Sequence, residues 1–199
     1  MSKLATSPLP RLPVINAETT ASTAPANWPF NVAALPGAMR MSLRLDPSVA
    51  KRVGQISGYV IDQSINSVTG TNHLSLRLGP DEWLLIDVHA DQQSIDELAT
   101  ILTEWSYSLV DISHRQVAFS LTGARVRDIL NCGCPLDLSE IAFPVGTATR
   151  TVLGKAEIIL LRAEASGGFR LECWRSFGRY VLAHLNDSAR LLGAVDWED

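Results

Sequence analysis

The sequence lacks the residue runs that mark several large classes of protein. Its 199 residues contain no basic block, and the formal net charge of −4 does not favour nucleic acid or an anionic membrane as a partner. Apolar runs such as EIILLRAEA are far shorter than the roughly 20 residues that span a bilayer. The N-terminal stretch MSKLATSPLPRLPV is interrupted by prolines and does not resemble a signal peptide, so we expect a cytoplasmic protein.

Cysteine is scarce, and its spacing does not favour a metal site. The chain has three cysteines and four histidines, and Cys132 and Cys134 have no second pair at zinc-ligand spacing. The glycine motifs of dinucleotide and phosphate sites are also missing, and LTGAR (121–125) is the nearest approach. We therefore predict no metal-binding and no cofactor-binding residues in this chain.

The composition otherwise indicates a folded protein preceded by an arm. Apolar residues make up 46% and charged residues 19% of the chain, which suits one domain or two packed subdomains. Six of the ten prolines fall within residues 1–36. We therefore expect an extended arm over residues 1–40 and an α+β domain over residues 41–199. Trp28 and Phe30 lie in the arm, and either fold back on their own domain or anchor a partner chain.

The apolar periodicity after the arm predicts an α+β fold with mixed, largely antiparallel sheets. A helix is expected from a cap at Asp91 to about Trp105, with Leu98, Ile101 and Leu102 on one apolar face. A hairpin turn is expected at Gly154. The other predicted strands are HLSLRL (73–78), WLLIDV (83–88), YSLVDI (107–112), QVAFSLTG (116–123) and FRLECW (169–174), and the other predicted helices are ARVRDILNC (124–132) and roughly 176–192.

The stretch NCGCPLDL (131–138) has the residues of a helix end. A C-terminal helix dipole disfavours a thiolate, so a redox pair is not expected there. Gly133 suits a left-handed cap, Cys134 would pack back on the helix, and Pro135 prevents the helix from continuing. We therefore predict a structural helix cap at Gly133, Cys134 and Pro135.

Nucleophilic catalysis has weak support. Ser113 and His114 are neighbours, but neighbouring residues of a strand face opposite ways. Asp111 and His114 more simply end a strand and bond to local backbone. We therefore predict no catalytic residues, although a small cysteine or serine hydrolase stays open as a further alternative.

Five stretches together resemble the gamma subunits of heterotetrameric sarcosine oxidases. They are LRLGPDEWLLI (76–86), DISHRQVAFSLTGARVRDIL (111–130), GCPLDL (133–138), AFPVGTATRTVLGKAEIIL (142–160) and RSFGRYVLAHL (175–185). The resemblance implies a fold similar to the folate-binding domain of the glycine-cleavage aminomethyltransferase.

The resemblance also implies a function within a larger complex. Such an enzyme has alpha, beta, gamma and delta subunits, demethylates sarcosine to glycine, reduces oxygen to hydrogen peroxide and passes the one-carbon unit to tetrahydrofolate. FAD, FMN, NAD and zinc then belong to the other chains. Related folate enzymes hold the pterin ring with carboxylates, and Asp81, Glu82 and Asp111 fit turns or strand ends better than that role. This chain is therefore expected to be a structural, non-catalytic subunit, with Trp28 and Phe30 as its partner contact.

One alternative has the same fold but a different role. Stand-alone folate-binding proteins that assist regulation or iron–sulfur cluster maintenance share a lysine-glycine-cysteine-tyrosine-x-glycine-glutamine segment. The stretch NCGCPLDLSE has a glycine and a cysteine but lacks the tyrosine, the second glycine and the glutamine. The alternative is therefore the weaker interpretation.

Overall fold

The computed structural model describes residues 30–89, 92–162 and 168–193. Single helices separate groups of two to five strands along the chain, and every pair of neighbouring strands is antiparallel, which confirms the predicted α+β class. No helix in this described part is long and apolar enough to cross a membrane. The strands are Asn31–Ala34 (β1), Met39–Leu45 (β2), Gln55–Ile56 (β3), Tyr59–Val60 (β4), Ser67–Thr69 (β5), His73–Arg77 (β6), Glu82–Asp87 (β7), Tyr107–Asp111 (β8), Gln116–Thr122 (β9), Thr147–Leu153 (β10), Ala156–Arg162 (β11) and Phe169–Trp174 (β12). The helices are Pro47–Val53 (α1), Gln92–Leu102 (α2), Val126–Asn131 (α3) and Gly178–Gly193 (α4).

Ten of the strands form one sheet in the order β1-β9-β12-β11-β10-β5-β6-β7-β2-β8, and β3 pairs with β4 separately. We call the five strands from β1 to β10 in this order the first half, and the five from β5 to β8 the second half. The halves meet where Thr147 of β10 lies opposite Ser67 of β5. The second half comes from one continuous stretch of chain, whereas the first half takes β1 from the beginning and four strands from the end.

Three apolar cores hold the helices and the sheet together. Helices α3 and α4 pack on one face of the first half, around residues such as Ile129 and Leu185. Helices α1 and α2 pack on the second half, around Trp83 and Leu98. The third core lies on the opposite face of the sheet, which we call the inner face, and joins both halves through Val68, Leu74, Leu76, Leu84, Ile86, Ala148, Ile159 and Leu161.

Local signals explain where several elements begin and end. Asp46 caps α1 by accepting a hydrogen bond from the backbone N–H of Ser48 (2.7 Å), and Pro47 occupies the first helical position. Gly154 turns the β10–β11 hairpin with φ +59°, which confirms the predicted turn. In α2, Leu98 and Leu102 are buried as predicted, but Ile101 is 44% exposed, so the apolar face is narrower than expected.

The sheet begins inside the segment that the proline content assigned to the arm. Residues 31–34 form β1 and pair with β9, with Val32 opposite Leu121. The first strand therefore starts ten residues before the expected domain start at residue 41. Four residues are too few to show a period against a proline-rich background, which is why the pattern missed this edge strand. The proposed cap at Asp91 and residues 1–29 lie outside the described residues.

Candidate functional site

A buried carboxylate lies on the inner face between the two halves. Glu172 of β12 has no exposed surface and accepts hydrogen bonds from Arg40 Nε (2.7 Å) and Arg40 Nη2 (3.3 Å). Arg170 donates to Glu172 Oε1 from Nε (2.9 Å) and Nη2 (2.7 Å). These four charge-assisted bonds compensate the burial of the carboxylate.

Arg40 connects this carboxylate to the second half of the sheet. It lies on β2, is 2% exposed, and donates from Nη1 to the carbonyl of Ala38 (2.9 Å). Its backbone N–H donates to Ser113 Oγ (2.8 Å), and that hydroxyl donates to Asp111 Oδ1 (2.5 Å). The side-chain and backbone hydrogen bonds from Ser113 hold the pKa of Asp111 below its usual range. The ion cluster therefore joins β12, β2 and the segment that leads into β9.

A second ionic contact crosses between the halves nearer the surface. Arg150 of β10 donates from Nη2 to Glu82 Oε1 of β7 (2.7 Å), and Arg44 Nη2 lies 3.2 Å from Glu82 Oε2. The hydrogen bond from Arg150 holds the pKa of Glu82 below its usual range and raises the pKa of Arg150 itself. Ion pairs therefore link the two halves at two places on the inner face, one buried at Glu172 and one nearer the surface at Glu82.

A small cleft opens beside Glu172. Its volume is about 50 Å³, and its lining includes Arg115, Gln116, Arg150, Glu157, Glu172 and Trp174. Gln116 is buried, and its Oε1 has no hydrogen-bond partner within the described part of the chain. Trp174 is 43% exposed, and the Arg115 guanidinium lies 5.2 Å from the centre of its ring. This volume admits roughly three to five water-sized groups.

A match to a protein-family model shows to which family this chain belongs. The model of the sarcosine oxidase gamma subunit family matches residues 42–190. The chain belongs to this family. A gamma subunit of sarcosine oxidase from Corynebacterium sp. (strain P-1) is 31% identical over 112 residues, which cover 56% of this chain and 50% of that protein. The match thus spans about half the length of the curated relative.

Solved structures confirm the predicted fold. A chain of the heterotetrameric sarcosine oxidase from Corynebacterium sp. U-96, in complex with pyrrole 2-carboxylate, superposes with a TM-score of 0.79 at 21% identity, covering 92% of this chain and 95% of that one. The glycine cleavage system aminomethyltransferase T from Bartonella henselae gives a TM-score of 0.61 at 12% identity, over 80% of this chain and 46% of that one. The gamma-family chain therefore has the fold expected from its sequence motifs.

The helix end at NCGCPLDL is where the sequence predicts it, but its geometry differs. Helix α3 ends at Asn131, Cys132 takes the C-cap position, and Cys134 is buried in the core under α3 and α4. Gly133 is not left-handed, so the predicted left-handed cap is wrong. The N–H of Cys134 donates to the carbonyl of Leu130 (2.8 Å), which continues helical bonding past the glycine. Pro135 follows on the surface.

Crowding explains the glycine at position 133 better than backbone conformation. A Cβ added there would overlap His184 Nε2 and lie 3.0 Å from the backbone nitrogen of Gly154. The N–H of Gly154 also donates to the carbonyl of Gly133 (2.9 Å). The hairpin turn therefore docks directly on the end of α3, and any side chain at Gly133 would separate them.

The expected partner residues are only partly described. Phe30 is 4% exposed and packs in the core of the first half with Val32 and Phe169. The ring therefore folds back on its own domain, one of the two options that the sequence left open. Trp28 lies outside the described residues, so a partner contact of this segment remains a prediction.

The residues considered for nucleophilic or thiol chemistry have local structural partners. Ser113 Oγ bonds to Asp111 and to the Arg40 backbone, with no bond to His114 among the described contacts. Cys132 is exposed, whereas burial raises the pKa of the Cys173 thiol to about 12, with a further contribution from the charge of Glu172. Within the described ranges, no three His, Cys, Asp or Glu side chains form a metal-binding group.

Sequence reasoning missed the charged residues of the inner face. Glu172 and Arg170 alternate with apolar residues in FRLECW, a pattern that ordinarily indicates a solvent-facing side of a strand. Here that side faces the second half of the sheet, and the charges are buried against Arg40. The opposite charges of Arg170 and Glu172 are a possible signal in the sequence. Arg40, however, lies 132 residues from Glu172, and this pairing cannot be read from local periodicity.

Proposed function

We propose that this chain is the gamma subunit of a cytoplasmic heterotetrameric sarcosine oxidase, and that its role is structural. In this proposal it assembles with alpha, beta and delta subunits that carry FAD, FMN, NAD and zinc. The complex demethylates sarcosine to glycine, reduces oxygen to hydrogen peroxide and delivers the one-carbon unit to tetrahydrofolate. The observation that carries the proposal is the gamma-family match over residues 42–190.

The surroundings of Glu172 do not fit tetrahydrofolate, which supports a structural role. Glu172 is already bonded to two guanidinium groups, so its carboxylate is not free to hold a pterin ring. The cleft beside Glu172, at about 50 Å³, is far below the roughly 300–1,000 Å³ of typical ligand pockets. A fused pterin ring therefore does not fit the cleft beside Glu172.

Co-expression with the alpha, beta and delta chains tests the assembly role. We expect the four chains to co-purify in equal amounts and to produce hydrogen peroxide from sarcosine. Leaving out this chain should lower the yield of assembled complex. A complex of full yield and full activity that forms without this chain would contradict the proposal.

A variant at a surface acid tests the non-catalytic role. Asp111→Asn removes one of the acids that the sequence suggested and keeps the side-chain size. We expect kcat and KM for sarcosine and for tetrahydrofolate to stay unchanged per assembled complex. A titration of the isolated chain with tetrahydrofolate covers the alternative, because tight binding there would favour a stand-alone folate protein instead.

A further inference from the structure

We propose that a surface of three arginines at the start of α4 binds an acidic segment of another subunit of the complex. The surface consists of Arg115, Trp174, Arg175 and Arg179, and we call it the arginine surface. All four residues are exposed. The inference rests on the proposed function, because it requires a partner chain.

The four residues meet where β12 passes into α4. Trp174 ends β12 and lies opposite Gln116 of β9, which brings Arg115 beside it. The Arg115 guanidinium lies 5.2 Å from the centre of the indole ring. Arg175 begins a single helical turn that leads into α4, and Arg179 follows four residues later in the first turn of that helix. Residues four apart on a helix are surface neighbours, so the arginine surface is continuous.

The three arginines have no ion pair with any described residue. The acids that line the neighbouring cleft are already engaged. Glu157 lies 3.7 Å from Arg150, and Glu172 is bonded to Arg40 and Arg170. The arginine surface therefore presents positive charge that the described part of the chain does not neutralise.

The position of Arg175 and Arg179 also opposes the helix that they precede and begin. The N-terminus of a helix carries a partial positive charge, which disfavours a nearby cation. Helix α4 has no acidic residue in its first turn to offset this repulsion. These two arginines therefore contribute nothing to the stability of α4, and an anion from outside the chain would relieve the repulsion.

The chemistry of the surface favours carboxylates as that anion. Stacking on Trp174 orders the Arg115 guanidinium and leaves the N–H groups at its edge free to donate. Such a planar fork binds a carboxylate through two parallel hydrogen bonds. The net charge of −4 on the whole chain disfavours nucleic acid as the source of the anion. The aspartates and glutamates of a neighbouring subunit are therefore the fitting partner.

The first test measures dissociation of the assembled complex by mass photometry on dilution. The measured quantity is the concentration at which half of the complexes have lost this chain. The double variant Arg175→Glu and Arg179→Glu should raise it by about tenfold or more, with a smaller effect at high salt. The matched control is Lys51→Glu with Arg52→Glu, which changes the charge equally on exposed residues of α1 and should leave the value unchanged.

A zero-length cross-link identifies the occupant. The chain has lysine only at positions 3, 51 and 155, so one introduced lysine is easily recognised by mass spectrometry. A carbodiimide joins a lysine amine to a carboxylate in contact with it. In the assembled complex, Arg175→Lys should become linked to an aspartate or glutamate of another subunit. A link found only to this chain's own acids, or no link at all, would overturn the inference.

The isolated full chain separates a contact role from a structural one. Arg175→Glu with Arg179→Glu should leave its thermal midpoint unchanged or raise it, because acids are favoured at a helix N-terminus. A lowered midpoint would mean that the arginines support the fold, and would overturn the inference. Dissociation equal to that of the control would also overturn it and leave the proposed function intact. Failure of the wild-type chain to join the complex would instead remove the proposed function, and the inference with it.

Discussion

The substitution Glu172→Gln measures how strongly the ion cluster holds the two halves of the sheet together. Glu172 accepts four charged hydrogen bonds, each of which contributes about 1.5–3 kcal/mol before desolvation is counted. Removing the carboxylate charge leaves Arg40, 2% exposed, as a buried cation with the carbonyl of Ala38 as a remaining partner. Breaking a buried pair in this way costs about 3–5 kcal/mol. Because glutamine still accepts one of these bonds, we expect the free energy of unfolding to fall by about 3 kcal/mol, the lower end of this range.

Chemical denaturation of the full chain is the assay, with the free energy of unfolding as the measured quantity. A loss of about 3 kcal/mol corresponds to a thermal midpoint lower by roughly 6–12 °C for a chain of this size. The matched control is Asp128→Asn, since Arg125 Nε also lies 2.7 Å from Asp128 Oδ2 but both side chains are partly exposed. The control should cost below about 1 kcal/mol. A loss below about 1 kcal/mol for Glu172→Gln as well would refute the reasoning.

Three further outcomes follow from the same structure. Gly133→Ala should lower the free energy of unfolding in urea by about 1–3 kcal/mol, because its Cβ overlaps His184. The control Gly37→Ala has open space around its Cβ and should lower that free energy by well under this amount. Equal losses for the two variants would contradict the crowding at Gly133. A thiol reagent at pH 8 should label Cys132 rapidly and Cys173 only after unfolding, and prompt labelling of a Cys132→Ser variant would contradict this. The ionised Glu82 carboxylate should stabilise the fold above pH about 4.5 and lose this effect below it, since its folded pKa lies below the ordinary value of 4.5. Glu82→Gln should remove this contribution to the free energy of unfolding. An unchanged acid limb in the curve of stability against pH would contradict the prediction.

The strands and helices after residue 72 were predictable because local periodicity encodes them. Alternation in HLSLRL and the short apolar run in WLLIDV predict β6 and β7, and the structure places them at His73–Arg77 and Glu82–Asp87. Turn chemistry predicts the hairpin at Gly154 for the same local reason. These features depend on side chains within a few residues of one another, which a single sequence displays directly.

The candidate site was not predictable because it depends on contacts between distant strands. Arg40 and Glu172 lie on strands that are not neighbours in the sheet, and they meet across the inner face, a contact that periodicity does not reveal. The role of Gly133 was misread for a related reason. Glycine after a helix usually indicates a left-handed cap, but here the space is taken by His184 and by the backbone of Gly154, both distant in sequence.

The position of β1 affects how the chain folds during synthesis. Asn31 pairs with Thr122, a partner made 91 residues later, so β1 waits about 5–18 s at 5–20 residues per second. The second half, residues 39–111, is complete before β9 begins, so its hairpins can form first. A nascent chain thus carries the unpaired strand β1 while the second half of the sheet is already formed. Slower translation between residues 111 and 122 would lengthen the period in which β1 can pair with a strand other than β9.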